Sequence, residues 1–186
     1  MMESIEKRLD RVRKLLCDQD FLTGKGLSNE VNFRIFPYEA KDEMAVRHFT
    51  EKILSDTSLP CRIIHRNLYS VFLEICEEIG ILDAIPEMEA EDGSKYLLSQ
   101  IHETVGDNDF VARIDYPDHS PGDVILLTGV GEVFPFMRIH ALLEALQPRF
   151  TGIPILVFYP GEYDGHHVKL FGKLTPNDYY RAFSII

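Results

Sequence analysis

Two nearly continuous apolar runs, VILLTG at 124–129 and IPILVFY at 153–159, bracket a stretch with helical spacing. A strand with polar residues on one face alternates, whereas a strand covered on both faces reads as an unbroken apolar run. Such runs belong to the interior of a parallel sheet, and parallel neighbours need crossover connections, usually helical. The rest of the chain repeats the rhythm. VNFRIF (31–36) alternates and predicts a strand ended by Pro37, and residues 40–55 place Val46, Phe49 and Ile53 on one helical face. CRIIHR (61–66) predicts a second strand. Asn67 then caps a helix that carries Leu68, Val71, Phe72, Ile75, Cys76 and Ile79 to Gly80. The expected fold is α/β, a mostly parallel sheet flanked by helices, in one domain over 1–186.

Three segments decorate that core. Residues 1–20 predict an amphipathic helix with Ile5, Leu9, Val12 and Leu16 in one narrow stripe, and two uses are open to it: packing on its own domain, or docking a partner or a second copy. Residues 81–118 predict a helical excursion of two short acidic helices broken near Asp92-Gly93, after which FVARIDYPDHSPGD has no clear periodicity. A helix is expected from Pro135, with Ile139, Leu142, Leu143 and Leu146 inward, and the tail DYYRAFSII predicts a last strand, antiparallel at the edge.

Charge narrows the function. Of the net −11, residues 74–109 contribute −10, eleven acidic groups against Lys95 alone. Such a surface repels phosphate backbones, so direct nucleic-acid binding is not expected. No apolar run reaches the ~20 residues that span a bilayer, and the charged N-terminus lacks the apolar centre of a signal peptide, so a cytoplasmic location is expected. Cys17, Cys61 and Cys76 form neither a disulfide framework nor a zinc spacing.

The turn T-G-V-G-E at 128–132 has the layout of a nucleotide-binding loop: strand, Gly-x-Gly, helix. Phe134 stands where G-x-G-x-x-G needs glycine, and Glu132 would repel a phosphate. Gly129 and Gly131 are read as permitting a tight reversal, with no cofactor bound. In a parallel sheet, functional groups gather beyond the carboxyl ends of the strands. That edge nominates Glu39, Asn67, Glu132, Tyr159, Asp164 and His166 as a candidate site. Carboxylates with histidines can hold a divalent cation, but no paired ligand spacing appears, so no metal is expected. No G-x-S-x-G elbow supports a serine nucleophile, and no catalytic residue is assigned.

The segments LLTGVGEVFPFMRIHALLEALQP, IPILVFYPGEYDG, KLFG and DYYRAF, with FLTGKGLSNEVNFRIFPYEAKDE and IIHRNLYSVFLEI before them, resemble the BrxB family, the small component of BREX phage-exclusion systems. The resemblance runs from the N-terminal helix to Ala182-Phe183. It implies an antiviral-defence protein without an established enzymatic activity, working beside a methyltransferase, a large ATPase and the phosphatase-like PglZ. PglZ is the expected first partner. The architecture is similar to a P-loop core stripped of its phosphate loop, with F-P-Y-E where the lysine-bearing loop would stand. The leading expectation is a non-catalytic adaptor; the alternative is an enzyme or a nucleotide or metal sensor using the carboxylates of the strand edge.

Overall fold

The computed structural model describes residues 3–24, 32–163, 168–172 and 184–185. Helices α1 (Ile5–Leu15) and α2 (Gln19–Thr23) precede β1 (Phe33–Tyr38). A 3-10 turn leads into α3 (Glu43–Leu54), followed by β2 (Arg62–Asn67) and α4 (Leu68–Glu78). Then come α5 (Ile85–Asp92), α6 (Ser94–Thr104), α7 (Asp107–Ile114), β3 (Asp123–Thr128), α8 (Val130–Val133) and α9 (Ile139–Leu146). Strands β4 (Ile155–Tyr163), β5 (Val168–Leu170) and β6 (Ser184–Ile185) complete the described chain.

The sheet order is β2-β3-β4-β1-β6, parallel throughout, with β5 antiparallel to the far end of β4. Side chains alternate across it. Phe36, Val124, Leu126, Leu156 and Phe158 face a cluster with α1, α2 and α3, while Ile35, Ile125, Leu127, Ile155 and Val157 face a larger one with α4, α6, α7 and α9. Two covered faces are the reason β3 and β4 read as unbroken apolar runs.

Local chemistry sets the boundaries. Asn67 Oδ1 accepts the N–H groups of Tyr69 and Ser70 and starts α4, and Gly80 adopts φ 75° after its end. Gly93, at φ 83°, separates α5 from α6. The stretch without clear periodicity holds α7, where the Asp109 carboxylate accepts the Gly106 N–H at 2.8 Å. Its Phe110, Val111 and Ile114 are buried in the larger cluster.

Several expectations change. Pro37 lies inside β1 and does not end it: among the described residues β6 pairs Arg34 and Ile35, so Pro37 sits past that pairing, where a missing N–H is tolerated. The N-terminal helix stops at Leu15, and Asp18 caps a separate turn of helix at Gln19–Thr23 by accepting from Asp20 and Phe21. The helix expected from Pro135 begins at Ile139. Phe134, preceding proline, is extended, and Phe136 stacks on Phe72 with ring centroids 4.5 Å apart, holding the connection out of the helix. Strand β4 runs on through Pro160-Gly161 into an antiparallel hairpin arm, and β6 is parallel to β1, not antiparallel.

The N-terminal stripe packs within the chain. Leu9, Val12 and Leu16 are buried against Phe36, Tyr38 and Phe158, with Ile5 at the margin. Arg8 stacks over Phe36 and donates to the Pro37 carbonyl, and Arg13 pairs with Asp56 at 2.8 Å. Of the two uses open to the stripe, the sheet takes it, so these four side chains do not present a free docking face.

Candidate functional site

Because β1, β2, β3 and β4 are parallel, their carboxyl ends share one edge, and α3 leans over part of it. The resulting cleft, of about 180 Å³, is lined by Tyr38 from β1, Glu43 and Arg47 from α3, His65 and Asn67 from β2, and Thr128 with Glu132 beyond β3. Sites for drug-sized ligands usually run to ~300 Å³ or more.

The polar groups of the cleft bind one another. Tyr38 donates its hydroxyl to Glu43 Oε2 at 2.6 Å, Arg47 Nε donates to Glu43 Oε1 at 2.7 Å, and the same guanidinium donates to Glu132. Burial, reinforced by the Glu43 carboxylate, pushes the Tyr38 phenol far above its ordinary range. The hydrogen bond to Glu43, then that to Glu132, raises Arg47 further, so the cation persists. One cation thus faces two carboxylates, which leaves no surplus positive charge for a phosphate. On the cleft's other side His65 Nε2 lies 2.8 Å from Thr128 Oγ1, and burial, helped by the Arg66 charge, holds the imidazole below its usual range.

Both glycines of G-V-G are occupied by protein contacts. Gly129 sits at φ 74°, and a Cβ there would fall 2.5 Å from Asn67 Oδ1, the atom that caps α4. A Cβ on Gly131 would fall 2.7 Å from the Phe171 ring and 2.9 Å from Pro160. The loop is therefore tight because the cap and the β4–β5 arm press on it.

Of the nominated residues, the structure brings Asn67 and Glu132 together. Glu39 is not in the cleft; its carboxylate pairs with Lys41 at 2.7 Å. Tyr159 points to the opposite face of β4 and is buried in the larger cluster, because the alternation that sends Phe158 toward α3 sends its neighbour away. Asp164 and His166 lie outside the described residues. Among the described residues no group of three or more His, Cys, Asp or Glu side chains could hold a metal ion. Cys61 and Cys76 have thiols raised by burial.

Sequence reasoning missed Glu43, Arg47, His65 and Thr128. The Glu43/Arg47 spacing of four on a predicted helix was a readable signal. The contacts of Arg47 with Glu132 and of His65 with Thr128 span 85 and 63 residues and left no local trace.

At the opposite end of the sheet, the nearly buried Asp123 accepts from Arg62 Nε and Nη2 at 2.8 and 2.7 Å, from the Tyr116 hydroxyl at 2.8 Å and from the Ser120 N–H at 2.9 Å. The Arg62 hydrogen bond is the main cause of its lowered pKa. A fully satisfied carboxylate of this kind fastens the starts of β2 and β3 together. The acidic segment is displayed differently: Glu87, Glu89, Glu91 and Asp92 are all exposed on α5. No helix among the described residues is long and apolar enough to cross a membrane.

A family model described as BREX protein BrxB matches residues 64–185. The chain is 38% identical over 192 residues to a BREX protein BrxB of Bacillus cereus (strain H3081.97), covering 100% of this chain and 99% of that protein. It is 29% identical over 185 residues to a BREX protein BrxB of Escherichia coli O9:H4 (strain HS), covering 98% and 92%. No solved structure matches.

Proposed function

The chain belongs to the BrxB family, and from that premise we propose that it is a non-catalytic adaptor of a BREX anti-phage assembly, positioning another component such as PglZ. The observation that carries this reading is the self-contained network Tyr38–Glu43–Arg47–Glu132. It occupies the strand edge where open parallel sheets otherwise place their chemistry. The −10 of residues 74–109, with four carboxylates exposed on α5, suits long-range steering toward a basic partner surface; steering acts on the association rate more than on final affinity. The same charge disfavours direct binding to nucleic acid. The work is placed in the cytoplasm, beside the other components.

The deciding experiment is purification of the tagged chain from cells carrying the full defence cluster, with co-purifying components identified by mass spectrometry. Retention of a BREX component, unchanged by Glu132→Ala, supports the adaptor. A second reading, an enzyme or a nucleotide or metal sensor, is favoured by the convergence of His65, Thr128, Asn67 and Glu132 on one cleft. Loss of defence by Glu132→Ala with folding and partner retention intact would decide for it.

A further inference from the structure

Strand β2 ends the sheet: it pairs with β3 on one side, and among the described residues no strand covers the other. It also has no buried residue, whereas five of the six residues of β3 are buried. The phase of its ladder follows from one bond, Arg62 N–H to the Gly122 carbonyl at 3.0 Å. In a parallel pair the N–H and C=O of one residue point the same way. The backbones of Arg62, Ile64 and Arg66 therefore turn to β3, and those of Ile63 and His65 turn outward. Among the described residues the outward groups meet no backbone partner; the His65 carbonyl accepts only from Arg66 Nη1, at 3.0 Å.

From this geometry we infer that the outer edge of β2 accepts an added strand from a partner protein, one carrying acidic side chains at alternate positions. Strand addition takes its affinity from main-chain bonds and its specificity from alternate side chains. Here the alternate positions on one face are Arg62, Ile64 and Arg66. Ile64 packs on the larger cluster and Arg62 is held by Asp123, whereas among the described residues Arg66 bonds only carbonyls, those of His65 and Arg113. A facing strand with carboxylates at alternate positions sets one opposite Arg66, which meets no counter-charge among the described residues, and puts its apolar side chains on the face of Ile63. A second copy is the poorer occupant: in the register that exchanges Ile63 with His65, Arg62 faces Arg66 twice, and like charges directly opposite destabilise a pair. The Arg66 guanidinium on the His65 carbonyl meanwhile guards the edge against indiscriminate pairing.

The inference gives the adaptor reading a surface and rests on it only for the partner's identity, so it is tested first without a partner. The probes are two eight-residue peptides, one alternating Glu and Val, the other Lys and Val. Hydrogen exchange is read at the Ile63 and His65 amides of the full chain. The Glu–Val peptide is expected to protect both amides at least tenfold more than the Lys–Val peptide, Arg66→Gln to reduce that protection, and Arg66→Glu to reverse the preference. Absence of protection at about 1 mM peptide, a Kd weaker than about −4 kcal/mol, would overturn the inference. Protection that rises with protein concentration and no peptide would overturn it in favour of a second copy. A BREX component that co-purifies while both amides stay unprotected would overturn the edge assignment and leave the adaptor standing.

Discussion

Gly131 lies beneath the ring of Phe171, so close that a Cβ on the glycine would stand 2.7 Å from the ring's tip. This one contact joins two motifs forty residues apart, the G-V-G turn after β3 and the K-L-F-G that ends β5. Phe171 reaches it from a backbone at φ 54°, and the residue as a whole stays 44% exposed. The second glycine of G-x-G is thus required by a side chain of the same protein and not by a phosphate.

Gly131→Ala is expected to cost about 1–3 kcal/mol, the usual range for overpacking. In Phe171→Ala the same substitution should cost less, because the ring tip that it meets has gone. Urea unfolding of the two single variants and the double variant would show this as a coupling of at least ~0.5 kcal/mol. Additive costs would mean that the two residues do not press on each other.

Glu132→Ala removes one partner of Arg47 and leaves Glu43 in place. Both side chains of the pair are exposed, 51% for Arg47 and 42% for Glu132, and exposed pairs contribute at most about 1 kcal/mol. Little change in melting temperature is expected, with phage defence retained. Calorimetry of the native chain with ATP, GTP or Mg²⁺ should show no binding tighter than about 100 μM, roughly −5.5 kcal/mol. A micromolar constant would restore the ligand-binding reading of the cleft.

Leu9→Asp with Val12→Asp should act on folding and not on docking. Val12 has no exposed surface and Leu9 only 5%, and a charge placed there lacks any compensating partner. Circular dichroism should show a melting temperature far below that of the native chain, or no cooperative transition. A native-like transition together with lost partner retention would return the stripe to the status of a docking surface.

Stability should fall in mild acid, partly through His65. Burial first, then Arg66, lowers its pKa below the ordinary 6.5. In the window between the ordinary value and the lowered one, the unfolded chain holds a proton that the folded chain does not, so stability rises with pH there. The contribution is complete above about pH 6.5 and declines as pH falls below it. His65→Gln should flatten the melting-temperature profile across that window, in part only, since burial also lowers His140. An unchanged profile would show that His65 titrates normally in the folded chain.

Much of this protein was legible locally. The unbroken runs at 124–129 and 153–159 announced strands covered on both faces, Asn67 announced the start of α4, and Asp92-Gly93 announced the break between α5 and α6. Each of these depends on neighbours a few residues away, and periodicity and capping are properties of that range. Helix α7 escaped because its three buried positions, Phe110, Val111 and Ile114, are too few to show a period. Only the tertiary structure decided which strand ends became neighbours. Pairing β1 with β4 placed Tyr38 beside the Gly129 turn, and α3 lying over that edge brought Arg47 to Glu132. The same alternation that put Phe158 in the α3 cluster turned Tyr159 away from it. A strand's residue types state that it has two faces, but which face meets the cleft follows from register, and register is set by the packing of the whole sheet.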